Sequence, residues 1–232
     1  NDCYIESSPT NKDLQYLNLL EIKKYITEIK ENELGTKLIG LTGGEPFMNP
    51  NIIYILKYLL ENKFKVLVLS NGMRPIEIKF KDLLTLPNLN NLTIRISVDH
   101  FKKKGHERIR GSNTWKQVIR NLIWLSNNGL NLNIASKIKP DESEKIIREG
   151  FYKLFKKIKL NIDPYNKNEL IIFPIMDYEK TSIEITQDCW RVLDKSPESV
   201  MCSNSRMIIK RKDEINTKVL PCTLITKDKD FE

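Results

Sequence analysis

Apolar positions along this chain follow two alternating patterns. Short, nearly unbroken apolar runs occur at Leu38-Ile39-Gly40-Leu41, Val66-Leu67-Val68-Leu69, Leu92-Thr93-Ile94-Arg95-Ile96-Ser97-Val98, 130–138 and 170–173. Their length and β-branched content predict buried strands. Between them the apolar residues fall at helical spacing: Ile22, Tyr25, Ile26 and Ile29; then Ile52, Ile55, Leu56 and Leu59; then Trp115, Val118, Ile119, Leu122 and Ile123. A further basic amphipathic helix is predicted over 141–157. Local signals set several ends. Asn18 with Glu21 makes a capping box, and Asn49-Pro50 reads as an N-cap with proline at the first helical position. Gly129 stops the Trp115 helix.

Strand–helix–strand units of roughly 30–40 residues predict an α/β fold with parallel strands and right-handed crossovers. Strands that are apolar almost throughout fit a sheet covered by helices. In such sheets chemistry gathers at the carboxyl ends of the strands. The glycines, serines and acids of this chain cluster there: Thr42-Gly43-Gly44, Ser70-Asn71-Gly72 and Asp99 each follow a strand. From about residue 175 the texture changes. Ile185-Thr186 leads into a short helix containing Cys189-Trp190, and 206–210 and 218–220 read as a hairpin around the polar turn 212–216. This predicts a domain over 1–178 and a small α+β module over 179–232, with the boundary near 176–185.

Composition narrows the class. With 232 residues, 40% hydrophobic and 29% charged, the chain reads as an ordinary globular protein that buries a good core. No apolar run approaches the roughly 18–20 residues of a membrane span, and no signal peptide is visible, so a cytoplasmic protein with no membrane partner is expected. The net charge of +8 allows an acidic or nucleic-acid partner, but basic residues such as Lys23, Lys24 and Lys30 lie on polar helix sides and read as solvated faces. The four cysteines, Cys3, Cys189, Cys202 and Cys222, are too few for a disulfide scaffold and point to a reducing compartment.

Gly43-Gly44-Glu45-Pro46 lies between a buried strand and a capped helix. Two glycines let backbone approach a ligand, and the adjoining carboxylate suits an ammonium group; a tight strand-to-helix turn explains the same residues. The order of motifs decides between the two. Cys3-Tyr4, then Leu41-Thr42-Gly43-Gly44-Glu45-Pro46, Leu69-Ser70-Asn71-Gly72, Ile96-Ser97-Val98-Asp99 and His106-Glu107-Arg108-Ile109-Arg110-Gly111 stand at successive strand ends. In this order, from residue 3 to about 175, the chain resembles the radical S-adenosylmethionine (SAM) superfamily.

The resemblance implies an incomplete (β/α) barrel of about five parallel strands, lacking a first strand, with a small α+β appendage. It implies a [4Fe–4S] cluster held by a Cys-x3-Cys-x2-Cys loop, with SAM on the open iron. Reductive cleavage of SAM gives a 5′-deoxyadenosyl radical that takes a hydrogen atom from substrate, and no side chain is assigned a catalytic role because the cofactors carry the chemistry. Cys3 matches the last cysteine of the loop, with Asn1-Asp2 as its spacer; the residue before Asn1 and the one four positions earlier are expected to be cysteine. A lone Cys3 does not hold a cluster. Carried over by position, Gly43, Gly44 and Glu45 would hold the SAM ammonium and Pro46 would shape the turn. Ser70 and Asn71 would face the sulfonium and ribose, Ser97 and Asp99 the ribose hydroxyls or methionyl end, and Arg110 the SAM carboxylate. Ser136 would reach the ribose, and Phe173 and Ile175 would flank the adenine. His100 and His106 read as surface or supporting groups, and Cys189 as core filler. Cys202 and Cys222 bracket the hairpin and resemble the start of a SPASM or twitch module holding an auxiliary iron–sulfur cluster. The partners implied are a reductant such as ferredoxin or flavodoxin, and a peptide, protein or small-metabolite substrate. A nucleic-acid-modifying member of the superfamily and a non-catalytic, partner-binding protein of this fold are the alternatives.

Overall fold

The structure is a computed structural model that describes residues 13–175, 188–192, 194 and 196–221. These form two compact units, one spanning Asn18–Ile175 and one joining 13–17 to the stretch beyond Ile175.

In the first unit five strands stand side by side in chain order, all parallel: β1 (Leu38–Leu41), β2 (Lys65–Ser70), β3 (Leu92–Ser97), β4 (Asn131–Ile138) and β5 (Leu170–Pro174). The helices are α1 (Leu19–Glu31), α2 (Ile52–Glu61), α3 (Arg74–Ile78), α4 (Phe80–Leu83), α5 (Lys103–Arg110), α6 (Thr114–Asn127) and α7 (Glu144–Ile158). This is the parallel α/β sheet expected from the strand–helix alternation, in the incomplete (β/α) barrel that the resemblance implies. The capping box of α1 forms as expected: the Asn18 side chain accepts from the Glu21 N–H at 3.0 Å, and the Glu21 carboxylate accepts from the Asn18 N–H at 2.8 Å. The predicted cap shifts: the N-cap of α2 is Asn51, with no side-chain cap bond, and regular helix begins at Ile52, while Asn49 accepts from the Asn51 N–H at 2.8 Å in a turn ahead of it. A tight turn from the Asn49 carbonyl to the Ile52 N–H, 3.1 Å, takes up the intervening residues. Helix α7 likewise starts at Glu144 and not at 141, because a turn closing from Lys139 to Glu142 around Pro140 occupies its front.

Strand alternation divides the sheet into two unlike faces. Val66, Val68, Leu92, Ile94, Ile96, Leu132, Ile134 and Leu170 share one face and are buried. Helix α2 lies against β2 and α6 against β4. Gly72 shows how close the packing is: its φ is +68°, and a Cβ there would sit 2.7 Å from Ile96 Cγ2 and 3.0 Å from Val118 Cγ2 of α6. Only glycine fits both the backbone and the space. The opposite face carries Leu67, Leu69, Thr93, Arg95, Ser97, Asn133 and Ala135, all half-buried.

In the second unit β6 (Met207–Ile209) and β7 (Lys218–Leu220) form the expected antiparallel hairpin, with Met207 opposite Leu220. Residues 13–15 run antiparallel along its outer side. Leu14 bridges Arg211, the Gln15 N–H donates to the Lys210 carbonyl at 2.8 Å, and the Lys212 N–H donates to the Asp13 carbonyl at 2.9 Å. Two short helices, α8 (Asp188–Val192) and α9 (Met201–Asn204), carry Cys189 and Cys202. Cys3, Tyr4, Cys222, the 176–187 segment and the side chains of Cys189 and Cys202 lie outside the described residues. Among the described residues no helix is long and apolar enough to cross a membrane.

Candidate functional site

Parallel pairing puts the carboxyl ends of β1, β2 and β3 on one edge of the sheet, and each delivers chemical groups there. After β1 the backbone turns at Gly43, whose φ of +136° few side chains tolerate; nothing lies within 4 Å of where its Cβ would be. The backbone is open to a ligand at that point. Two residues on, Glu45 caps a single 3₁₀ turn (Pro46–Met48) and is buried. Its Oε1 accepts from the Ser70 hydroxyl at 2.9 Å and the Phe47 N–H at 3.2 Å, and its Oε2 accepts from the Asn71 N–H at 2.8 Å. Glu45 therefore ties the end of β1 to the end of β2. Burial raises its pKa; the hydrogen bonds from Asn71, Ser70 and Phe47, and then the positive field of Arg110, work against that rise.

The hydrogen-bonding capacity of the Ser70 side chain goes to the chain itself. Its oxygen also accepts from the Gly72 N–H at 3.1 Å. Asn71 Oδ1 accepts from the Met73 N–H at 2.8 Å, closing an Asx turn. Asn121, buried in the middle of the α6 apolar stripe, donates to the Gly72 carbonyl at 2.9 Å and fixes that turn from behind.

Past β3, Asp99 is buried and is gripped from α5 by two residues one helical turn apart. Arg110 pairs with its carboxylate through Nε and through Nη2, the latter at 3.3 Å. His106 accepts from the Asp99 N–H at 3.3 Å through Nδ1, so this nitrogen carries no proton. The His106 ring is buried, edge-on to Trp115 at 5.6 Å, and burial lowers its pKa. His106 is thus a supporting group inside the structure and not a surface one. Beside Asp99 a cavity of about 500 Å³ opens, lined among others by His100, Arg108, Lys137, Lys139, Glu142 and Ile175.

Not every predicted residue meets at one point. Ser97 pairs with Ala135, so Ser136 points to the other face of the sheet, where its hydroxyl is buried and has no hydrogen-bond partner among the described residues. Ser70 shares that face, being paired with Ile96. A single ribose does not touch both Ser97 and Ser136. Phe173 is exposed at the end of β5, and Ile175 lines the cavity. Asn121 and Arg95 were not singled out by the motifs, and His106, read as a surface or supporting group, is one of the two residues that hold Asp99. A polar residue interrupting an apolar stripe was the available signal for Asn121.

Two buried carboxylates, a guanidinium and an open glycine backbone on one edge suit a zwitterionic ligand with hydroxyls, as SAM is. For a metal cluster the position is different: among the described residues no group of three or more His, Cys, Asp or Glu is placed to hold a metal ion.

Residues 3–149 match the Radical SAM superfamily. The protein AlbA of Bacillus subtilis, named for biosynthesis of the antilisterial bacteriocin subtilosin, is 29% identical over 137 residues, covering 59% of this chain and 29% of AlbA. GTP 3′,8-cyclase of Haemophilus ducreyi is 25% identical over 116 residues, covering 49% of this chain and 32% of the cyclase. The chain thus spans about a third of these relatives' length. Streptococcus suis SuiB bound to S-adenosylmethionine superimposes with a TM-score of 0.59 at 15% identity, over 83% of this chain and 42% of SuiB. The protein anSMEcpe with bound AdoMet gives 0.57 at 17% identity, over 79% and 48%. Well over half of the sequence carries the family pattern on the matching fold, and the chain belongs to the radical SAM superfamily of enzymes.

Proposed function

We propose that this chain is the cofactor-holding body of a radical SAM enzyme that abstracts hydrogen from a peptide substrate. The observation that carries the reading is the gathering of Glu45, Asp99 and Arg110 on one sheet edge beside the open Gly43 backbone. When bound, a reduced [4Fe–4S] cluster and SAM supply the one-electron chemistry.

The side chains bind and orient. The Gly43 and Gly44 backbone and Glu45 take the SAM ammonium. Pro46, Ser70 and Asn71 act through Glu45: the proline starts the turn it caps, and the other two hold its oxygens in place. Arg110 takes the SAM carboxylate while remaining paired to Asp99, and Ser97 meets the ribose from the half-buried face. Ser136 is left out of the ribose contacts by its orientation. Cys3 is assigned to the cluster, and Cys202 and Cys222 to an auxiliary iron–sulfur cluster in the module over 179–232. A cytoplasmic reductant such as ferredoxin or flavodoxin delivers the electron.

Support for a peptide substrate comes from AlbA and from SuiB, whose structure with its precursor peptide SuiA aligns with a TM-score of 0.57 at 14% identity over 83% of this chain. Equilibrium binding of labelled SAM to the protein with its Cys-x3-Cys-x2-Cys loop restored, reconstituted anaerobically, tests the site. Arg110→Ala is expected to weaken SAM about tenfold or more, as loss of a charge-assisted contact does. Unchanged affinity in that variant rejects the assignment.

A further inference from the structure

Arg95 stands in the middle of β3, on the half-buried face and two residues short of Ser97. Its register neighbours are Leu69 on β2 and Asn133 on β4, so aliphatic wall lies on one side and an amide on the other. Its Nε is buried and makes no hydrogen bond among the described residues. Burial lowers the pKa of the guanidinium, with no neighbouring acid contributing an opposing effect. The contrast within the same unit is sharp: Arg110 has Asp99, Arg120 has Glu77 and Arg148 has Glu144. A half-buried guanidinium with an unpartnered nitrogen is unfavourable to the folded chain by itself. A hydrophobic side chain in that place would continue the Leu69 surface at no such cost.

We propose that Arg95 is the substrate-recognition residue of this enzyme and takes a carboxylate group carried by the substrate, with Asn133 beside it as a neutral hydrogen-bonding neighbour. The guanidinium fork matches a planar carboxylate with two parallel N–H···O bonds. The position suits a substrate and not the cofactor. Arg95 lies roughly 7 Å along the strand from Ser97, at about 3.3 Å per residue, which is deeper in the face than the strand-end groups. A peptide resting on this face with an acidic side chain or its terminal carboxylate on Arg95 has its neighbouring atoms under the strand ends, where hydrogen abstraction takes place. The inference rests on the reading of those strand ends as the SAM site and adds the class of group the substrate must present.

The test uses the whole protein, its Arg95→Met and Arg95→Lys variants, and three probes: acetylated and amidated glutamate, its glutamine counterpart, and inorganic phosphate. Without probe, Arg95→Met is expected to melt about 2–4 °C higher than wild type, a modest gain in stability for a domain of this length. The glutamate probe is expected to raise the wild-type Tm in a saturable way, the glutamine probe is not, and Arg95→Met is expected to lose the response. Arg95→Lys is expected to bind the probe about tenfold more weakly than wild type, because the fork is lost while the charge stays. An Arg95→Met variant that melts lower than wild type shows a partner within the chain and overturns the proposal. An equal glutamate response in wild type and Arg95→Met, or no response in wild type, also overturns it. A response to phosphate at concentrations where glutamate gives none replaces the carboxylate with a phosphate-bearing ligand and so overturns it too. SAM affinity of the reconstituted Arg95→Met protein separates this inference from the one beneath it. It is expected to be unchanged, and a tenfold loss would move Arg95 into the cofactor site. If wild type binds no SAM, the strand-end reading falls while the glutamate titration still answers for Arg95.

Discussion

The two faces of the sheet use the same strands for opposite ends. One face is aliphatic from Val66 to Leu170 and packed against helices, and it is polar only toward its carboxyl edge, at Ser70 and Ser136. The other alternates aliphatic residues with Thr93, Arg95, Ser97 and Asn133 and leaves them half-buried. A single strand such as β3 therefore reads Ile94 and Ile96 into the core and Arg95 and Ser97 toward the opposite face. The covered face supplies the rigidity, and the carboxyl edge is where the two meet: Ser70, on the covered side, holds the Glu45 carboxylate.

The largest expected effect tests this division directly. Ile94→Ala, on the covered face, should destabilise the fold by about 2–5 kcal/mol through lost burial and a residual cavity. Thr93→Val, one residue away on the other face, should stay within about 0.5 kcal/mol. Urea denaturation midpoints measure both, and similar losses at the two positions would erase the distinction between the faces.

Glu45→Ala probes the edge where the faces join. Removing the carboxylate strands the Ser70 hydroxyl and the Asn71 and Phe47 amides. A loss of about 2–3 kcal/mol of stability is expected from leaving such groups unsatisfied. Melting curves run beside SAM binding show whether the variant loses stability alone or ligand affinity as well; a variant as stable as wild type would mean the brace is not made.

The smallest effect is a pH dependence where α5 meets the turn after β3. The folded pKa of His106 lies below its unfolded value, so its contribution to stability is full above about pH 6.5 and is lost as pH falls through the folded value. Glu45, whose folded pKa is raised, contributes with the opposite sign, because acidification relieves its buried charge. The difference between wild type and His106→Gln cancels Glu45 and isolates the histidine. The gap between the melting temperatures at pH 7.5 and 5.5 should be narrower in the variant than in wild type; an unchanged gap would place the titration elsewhere.

Much of this was legible in the sequence, and the omissions share causes. The five strands are visible because each is an apolar run bounded by turn residues, and α1 because Asn18 and Glu21 are three residues apart. Helices α3 to α5 have five, four and eight residues, too short for a periodic stripe, and α5 is mostly charged. Pairing of residues 13–15 with the hairpin spans 197 positions, as in the bond from Gln15 to Lys212, and no local signal reaches that far. At the site, the strand-end residues announced themselves as turn chemistry, but the faces did not. That Ser97 and Ser136 oppose each other follows only once the β3–β4 register is known. Likewise the sequence offers Asp99 and Arg110 as two separate ligands, whereas an eleven-residue detour through α5 brings them back together.

The strand order has a further consequence, for assembly of the chain. Because β1 to β5 stand in the order in which they are synthesised, every pairing joins a strand to the one just before it. No strand has to be inserted between two already paired, and each closure spans only the helix-bearing segment between neighbours. The entropy of loop closure grows slowly with length, and low sequence separation speeds folding. The sheet can therefore grow one strand at a time from the amino-terminal side, and the Glu45 brace between β1 and β2 needs only residues up to Asn71. The edge proposed to hold SAM is, on this order, among the first parts of the molecule that can form.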